Sequence, residues 1–207
     1  LIVIVALAAV AAGAWALLRE RDAPEVVHAK QLGEVAGIEA DAERMPEVRF
    51  VDIAAEAGID FVHTSGATGE KLLPETMGGG VAFLDHDGDG DQDLLFVNSD
   101  RWPWDGGPEA TQRLYANDGR GAFTDVTAEA GLDASFYGMG AAVADYDNDG
   151  DADLFFSSLN ANRLYRNDGG RFVDVTAKAG VAGEADRWSA SAGFFDYDND
   201  GDLDLWV

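Results

Sequence analysis

Asp85-His86-Asp87-Gly88-Asp89-Gly90-Asp91-Gln92-Asp93 is the first of three copies of one pattern. The others are Asp145-Tyr146-Asp147-Asn148-Asp149-Gly150-Asp151-Ala152-Asp153 and Asp196-Tyr197-Asp198-Asn199-Asp200-Gly201-Asp202-Leu203-Asp204. Each copy sets five carboxylates into nine residues with no lysine or arginine among them. Such a cluster repels itself, and a folded chain keeps it when a cation sits between the charges. Hard oxygen donors at alternating positions, with glycine at the sixth for a sharp turn, are what Ca²⁺ requires.

Working outward, two more motifs recur in a fixed order. Phe50-Val51-Asp52-Ile53 leads to Ala57-Gly58, Phe123-Thr124-Asp125-Val126 to Ala130-Gly131, and Phe172-Val173-Asp174-Val175 to Ala179-Gly180. Arg113-Leu114-Tyr115 precedes Asn117-Asp118-Gly119, and Arg163-Leu164-Tyr165 precedes Asn167-Asp168-Gly169. The acidic loops start at 85, 145 and 196, giving periods of 60 and 51 residues. Within one period a Gly/Ala-rich apolar strand enters the loop. A second apolar strand (Leu94–Val97, Leu154–Phe156) leaves it, and the Arg-Leu-Tyr and Phe-x-Asp strands follow. Four short strands per repeat of this length, separated by Gly, Asn and Asp turns, predict an all-β fold built from the four-stranded blades of a β-propeller. Residues 48–207 hold about two to three blades. The first Phe-x-Asp copy has no acidic loop before it, so Val48–Ile53 is expected to be the outer strand of the last blade, closing the ring.

Upstream, Leu1–Leu18 is uninterrupted by charge and is followed by Arg19-Glu20-Arg21-Asp22. The stretch is at the lower limit of a membrane-spanning helix, and Ala12-Gly13-Ala14 resembles a signal-peptidase site. Residues 1–18 are therefore expected to be an apolar helix acting as a signal anchor or a signal peptide, and 19–47 a linker. Either form of export delivers the rest outside the cytoplasm, membrane-anchored or secreted (periplasmic or cell-surface in a bacterium). Leu1 in place of Met, and an end at Val207 inside an expected strand, read as a piece of a longer protein.

A hydrophobic content of 47% in 207 residues is that of a globular chain. The net charge of −25 excludes nucleic acid as a partner, since phosphate binding needs basic stripes. The chain has no cysteine, hence neither disulfides nor thiolate metal sites.

The loop is not an EF-hand. Position 12 would have to be a bidentate glutamate between helices, and here it is Phe96, Phe156 or Val207 between strands. Asp-x-Asp-x-Asp-Gly-x-x-Asp between two strands of a blade resembles the FG-GAP/VCBS repeat of the integrin α-subunit propeller. Met77-Gly78-Gly79-Gly80-Val81-Ala82-Phe83-Leu84-Asp85, with Leu-Tyr-x-Asn-Asp-Gly and Phe-x-Asp-Val-Thr, narrows the resemblance to the cartilage acidic protein family, whose bacterial members often carry an ASPIC/UnbV domain. The resemblance covers about residues 48–207. It implies one Ca²⁺ per loop, three in all, held by the side chains at positions 1, 3, 5 and 9 and by the main chain at position 7. Those residues are Asp85, Asp87, Asp89, Asp91 and Asp93; Asp145, Asp147, Asp149, Asp151 and Asp153; and Asp196, Asp198, Asp200, Asp202 and Asp204. With every position filled by protein, the cation would stiffen a turn and not catalyse, because catalytic metals keep an open position.

His86, at loop position 2, is expected to point away from the metal. His63 lies near a plausible binding loop, but a surface strand histidine is the plainer reading, and no Gly-x-Ser-x-Gly setting supports a hydrolase. Two insertions distinguish the first unit: Gly58 to Asp85 spans 27 positions against 14 and 16 later, and Asp93 to Leu114 spans 21 against 11. The second carries Arg101-Trp102-Pro103-Trp104. Arg101, Trp102 and Trp104 are candidates to bind a glycan or a protein hot spot, or else the indoles pack over the neighbouring blade. The expected function is a calcium-stabilised, extracytoplasmic module that binds or adheres to a protein or glycan and has no catalytic constellation. The alternative is a polysaccharide lyase or hydrolase on the same scaffold.

Overall fold

The computed structural model describes residues 49–184 and 186–207. The expected apolar helix 1–18 and the linker 19–47 lie outside the described residues. Among those described, no helix is long and apolar enough to cross a membrane.

Ten strands form three antiparallel sheets among the described residues. The first contains β1 (Val81–Leu84), β2 (Asp93–Phe96), β3 (Arg113–Asn117) and β4 (Phe123–Asp125). The second contains β5 (Gly138–Ala144), β6 (Asp153–Ser158), β7 (Arg163–Asn167) and β8 (Phe172–Asp174). Each is ordered as it runs in sequence, a four-stranded meander of blade form. The third is the pair β9 (Gly193–Phe195) and β10 (Asp204–Trp206). The only helical pieces described are a 3-10 turn at Leu73–Thr76 and α1 (Thr176–Ala179), which ends on Gly180 in the left-handed region.

Each acidic nonapeptide joins the first two strands of its sheet. Leu84 pairs with Asp93, Ala144 with Asp153 and Phe195 with Asp204. Loop position 9 is thus the first residue of the returning strand, directly across from the residue before position 1.

The period-2 alternation of strands explains the core. On β6, Leu154 and Phe156 face the first sheet and join Leu84, Leu95, Leu114, Phe136 and Tyr165. Phe155 faces the other way, towards Leu164 and Val175, with Phe194 and Leu205 packed against them. Burial on both sides is why β6 reads as an unbroken apolar run instead of an alternating one. The two phenylalanines and Leu154 have no exposed surface, and each contributes about 1.5–3 kcal/mol of burial. The leading strands β1, β5 and β9 lie side by side, and glycine permits this. A Cβ on Gly80 would meet Gly140 Cα at 3.0 Å, and one on Gly140 would meet Ala190 O at 3.0 Å.

Successive sheets are also latched through the Phe-x-Asp motif. Phe123 N donates to Ala57 O and Phe172 N to Ala130 O, each at 2.8 Å. The Ala-Gly end of one copy thereby holds the outer strand of the next unit. Within a unit, Asp125 and Asp174 accept from Thr127 N and Thr176 N, and those threonine hydroxyls accept from Leu114 N and Leu164 N.

The first copy differs from expectation. Residues 50–53 form no strand, and Val51 and Ile53 are exposed. Ala54 stands where the later copies have the threonine that ties the motif to the third strand. Asp52 still accepts from Ala54 N at 3.0 Å, and the downstream half, Ala57-Gly58, holds Phe123 as in the other copies.

Gly131 isolates the latch energetically. Its φ is +80°, and an added Cβ would lie 2.9 Å from Phe172 O, whereas Gly180 at φ +72° has nothing within 4 Å. Gly180→Ala should cost about 1–2 kcal/mol for left-handed backbone alone. Gly131→Ala should cost roughly 1–3 kcal/mol more, because the latch must open. Denaturant melts of both variants give the comparison.

Candidate metal centres and an aromatic cleft

The carboxylate at position 1 organises each loop. Asp85 accepts from Gly88 N, Asp89 N and Gly90 N at 2.9–3.1 Å. Asp145 accepts from Asp149 N and Gly150 N, and Asp196 from Asp200 N and Gly201 N. Closing such a turn takes positive φ at position 6, where Gly90, Gly150 and Gly201 stand at +92°, +100° and +94°. Position 4 needs it too: Gly88, Asn148 and Asn199 lie at +76°, +59° and +60°. The Gly/Asn choice there was visible in the sequence and marks a second left-handed site.

Position 9 ties the loop into the sheet. Asp93 accepts from His86 N at 2.9 Å with one oxygen and from Asn117 N at 2.8 Å with the other. Asp153 does the same with Tyr146 N and Asn167 N. Both carboxylates are buried. Asp204 keeps only the Tyr197 N bond and is exposed, since β10 has a single neighbour. Position 7 turns its side chain outward: Asp151 accepts from Gly169 N and Asp202 from Asn148 Nδ2. That leaves the position-7 carbonyl as the group the expected ligand set uses.

Oxygens of Asp145, Asp147 and Asp153, and of Asp196, Asp198 and Asp204, lie within 4.8 Å of one another. In the first loop the converging sets are Asp85, Asp87 and Asp89, and His86, Asp87 and Asp93. Asp149 and Asp200 do not join these groups; their side chains accept from Asp151 N and Asp202 N. Rigid carboxylates converging from an Asx-turn lattice are a donor set that fits a hard divalent cation. The ion would be held by positions 1, 3 and 9 in the second and third loops, and by positions 1, 3 and 5 in the first.

His86 corrects the sequence reading. It does not point away: its ring is buried, with Nδ1 2.5 Å from Asp93 Oδ2. The tyrosines at this position in the other loops make no such bond among the described residues.

Sequence reasoning read Asn117 and Asn167 as turn residues only. Asn167 is buried, and its amide donates to Ala152 O at 3.2 Å in its own loop and to His86 O at 2.8 Å in the preceding loop. One side chain thus clamps two acidic loops. Its oxygen is also used, accepting from Gly170 N at 2.8 Å.

Without a cation the electrostatics are unfavourable. Burial pushes the Asp153 carboxyl up to about 6, and nearby Asp147 and Asp149 push the same way, against the backbone bonds from Asn167 and Tyr146.

The two insertions of the first unit meet in a separate place. Trp102 stacks on Trp104 with centroids 5.1 Å apart and planes at 2°, and on its other side packs against Tyr137 at 5.3 Å. Its indole N–H donates to Glu75, in the 3-10 turn of the other insertion, at 2.8 Å. Tyr137 OH donates to Ser65 O, and Ser135 Oγ to Asp100. Arg101 pairs with Asp105 at 2.8 Å. Trp102 therefore packs over a neighbouring unit, while Trp104 remains 63% exposed beside a cavity of about 480 Å³. His63 is half-buried outside any strand, 3.5 Å from Ser99 Oγ, and burial lowers its pKa. Ser99 is buried and donates to Gly138 O, so the pair offers no exposed nucleophile.

Known proteins agree with this architecture. The chain matches the FG-GAP-like repeat family over residues 85–156 and again over 146–207. It is 30% identical over 127 residues to human (Homo sapiens) cartilage acidic protein 1, an alignment covering 56% of this chain and 16% of that protein. The chain thus spans about a sixth of the length of this curated relative.

Two predictions follow from the loops. Ionised Asp153 carries a penalty in the metal-free fold that is full above pH 6 and relieved as the pH falls towards its ordinary 3.8. Protein in EDTA should therefore gain stability from about pH 7 to about pH 4.5, while cation binding weakens over the same range because protons compete for the carboxylate. Melting curves with and without Ca²⁺ check both signs. Asn167→Ala should destabilise the chain by roughly 1–3 kcal/mol by stranding buried carbonyls, and should weaken cation binding in the first loop as well as the second. Calorimetric titration reads the number and affinity of the sites.

Proposed function

The chain belongs to the FG-GAP-like repeat family, and on that premise we propose that residues 48–207 are part of a calcium-bearing β-propeller that works outside the cytoplasm as a protein- or glycan-binding adhesion module. The observation that carries this reading is the convergence of carboxylates in loops placed identically between the first two strands of each sheet, at positions 1, 3 and 9 of the second and third loops and 1, 3 and 5 of the first. Leading strands that neighbour one another through glycine contacts support a radial order of blades. In this reading the cation's work is structural. It neutralises the loops, fixes the hairpin between the two inner strands and relieves the charge on the buried position-9 carboxylate.

Binding falls to the loops that the blades do not need for their own closure. The insertions that meet at Trp102 and Glu75 are of this kind, and they carry an exposed indole. The uncharged stretch Leu1–Leu18 supports export, as anchor or signal peptide. We take the module to bind and not to turn over its ligand.

Ca²⁺ should raise the melting temperature of the full-length protein by about 4–12 °C, from on the order of 2–3 kcal/mol of linkage at saturation. EDTA should reverse it. An unchanged melting temperature in EDTA would remove the metal assignment, and release of sugar products from polysaccharide would replace the binding reading by an enzymatic one.

A further inference from the structure

We infer that the cleft beside Trp104 is a carbohydrate site for an uncharged pyranose, which rests on the binding-module reading of the same loops and names its ligand. The cavity of about 480 Å³ lies between the Trp102–Trp104 turn of the first unit and the Leu159–Ala161 turn of the second. That volume falls in the usual range of small-ligand sites, about 300–1,000 Å³. Its walls are loop segments from two successive units whose sheets pack on one another.

The platform is held rigid while its outer surface stays open. Trp104 lies parallel on Trp102, Trp102 is backed by Tyr137, and the Trp102 indole N–H is spent on Glu75. An aromatic ring fixed in this way, yet 63% exposed, offers a flat apolar surface that the fold itself does not use. A pyranose presents a matching surface of axial C–H groups, with hydroxyls around its edge. The polar rim is also pre-set. Asp100 is fixed by Arg101 N and Ala110 N on Oδ1 and by Ser135 Oγ on Oδ2, so Oδ2 retains one acceptor site towards a hydroxyl. Across the cleft, Asn160 is held at φ +78°.

Charge then narrows the class. The chain carries −25, which repels uronates, sulfated glycans and phosphates at long range. Within the cleft both guanidinium groups form ion pairs, although Arg163 Nε is buried without a hydrogen-bond partner. Arg101 pairs with Asp105, and Arg163 pairs with Asp174 while lying over the Phe136 ring at 4.8 Å. The one carboxylate of the lining, Asp100, is held by three hydrogen bonds, so the cleft presents no free anion to a cationic ligand. A neutral ligand with an apolar face and hydroxyl edges meets neither obstacle.

The test is a titration of the full chain in Ca²⁺ with neutral gluco-, manno- and galacto-oligosaccharides, with oligogalacturonate as the charged control. Tryptophan fluorescence and calorimetry provide the readouts. One neutral series should bind saturably at one site, and oligogalacturonate should bind at least tenfold more weakly. Trp104→Ala should weaken binding tenfold or more. Trp206→Ala, an equally exposed indole in the third sheet, should leave it unchanged. The Ca²⁺ melting shift, recorded on each variant, shows that the fold is retained. Saturable binding that survives Trp104→Ala overturns the site. Absence of binding by every neutral series, in protein with an intact Ca²⁺ shift, overturns the carbohydrate assignment and leaves the calcium reading standing. Loss of a protein ligand in Trp104→Ala without any sugar binding overturns it too, and keeps the module reading.

Discussion

A buried aspartate at the start of the second strand holds each complete blade-like sheet to its acidic loop. Asp93 and Asp153 give one oxygen to the backbone at loop position 2 and the other to the backbone at the end of the third strand. The loop, the returning strand and the Asn-Asp-Gly turn are thereby fixed to one carboxylate. Removing a charge of this kind from water is costly unless something compensates it. Backbone N–H groups compensate only in part, as the raised pKa of Asp153 shows. At Asp153 the group that aligns three chain segments is also a member of the converging carboxylate set.

The same economy of contacts links one unit to the next. Asn167 reaches back to His86 O in the preceding loop, and Phe172 N reaches Ala130 O at the far side of the sheet. A neutral amide near one edge and a backbone bond near the other leave the space between for the alternating apolar faces of β6. With both faces buried, the second sheet has the most complete core of the three. The third pair, covered on one side only, leaves Phe195, Tyr197 and Trp206 exposed. Stability in such an arrangement is a sum over neighbours, as in other repeat folds.

Much of this was legible in the sequence because it is local. Strand order, the place of the acidic loop and the strand content followed from motifs whose spacing is nearly constant. What was missed is non-local. His86 differs from the tyrosines at its position by a side chain able to reach Asp93, seven residues on, and only the folded hairpin brings them together. Asn167 contacts a carbonyl 81 residues away, a distance at which no pattern within one repeat is informative. The first Phe-x-Asp copy looked like a strand because three of its residues match. Ala54, where the other copies carry threonine, was the legible difference, but its meaning depends on knowing that the hydroxyl caps the third strand.

The aromatic cleft shows the opposite relation between pattern and fold. Nothing in the repeat requires Trp102 or Glu75, and the second unit completes its four-stranded sheet without either. The segment before β1 and the segment after β2 would each be a long excursion if taken separately. Together they stabilise one another: Glu75 takes the indole N–H, Ser65 O takes the Tyr137 hydroxyl, and Thr64 N donates to Asn98 Oδ1 at 2.8 Å. Ordering two loops costs conformational entropy that a short turn would avoid. Here that cost is offset by contacts within the loops, and the sheet beneath is unaltered. A rigid scaffold defined by its acidic loops can therefore carry two ordered insertions that its sheets do not need for their own pairing.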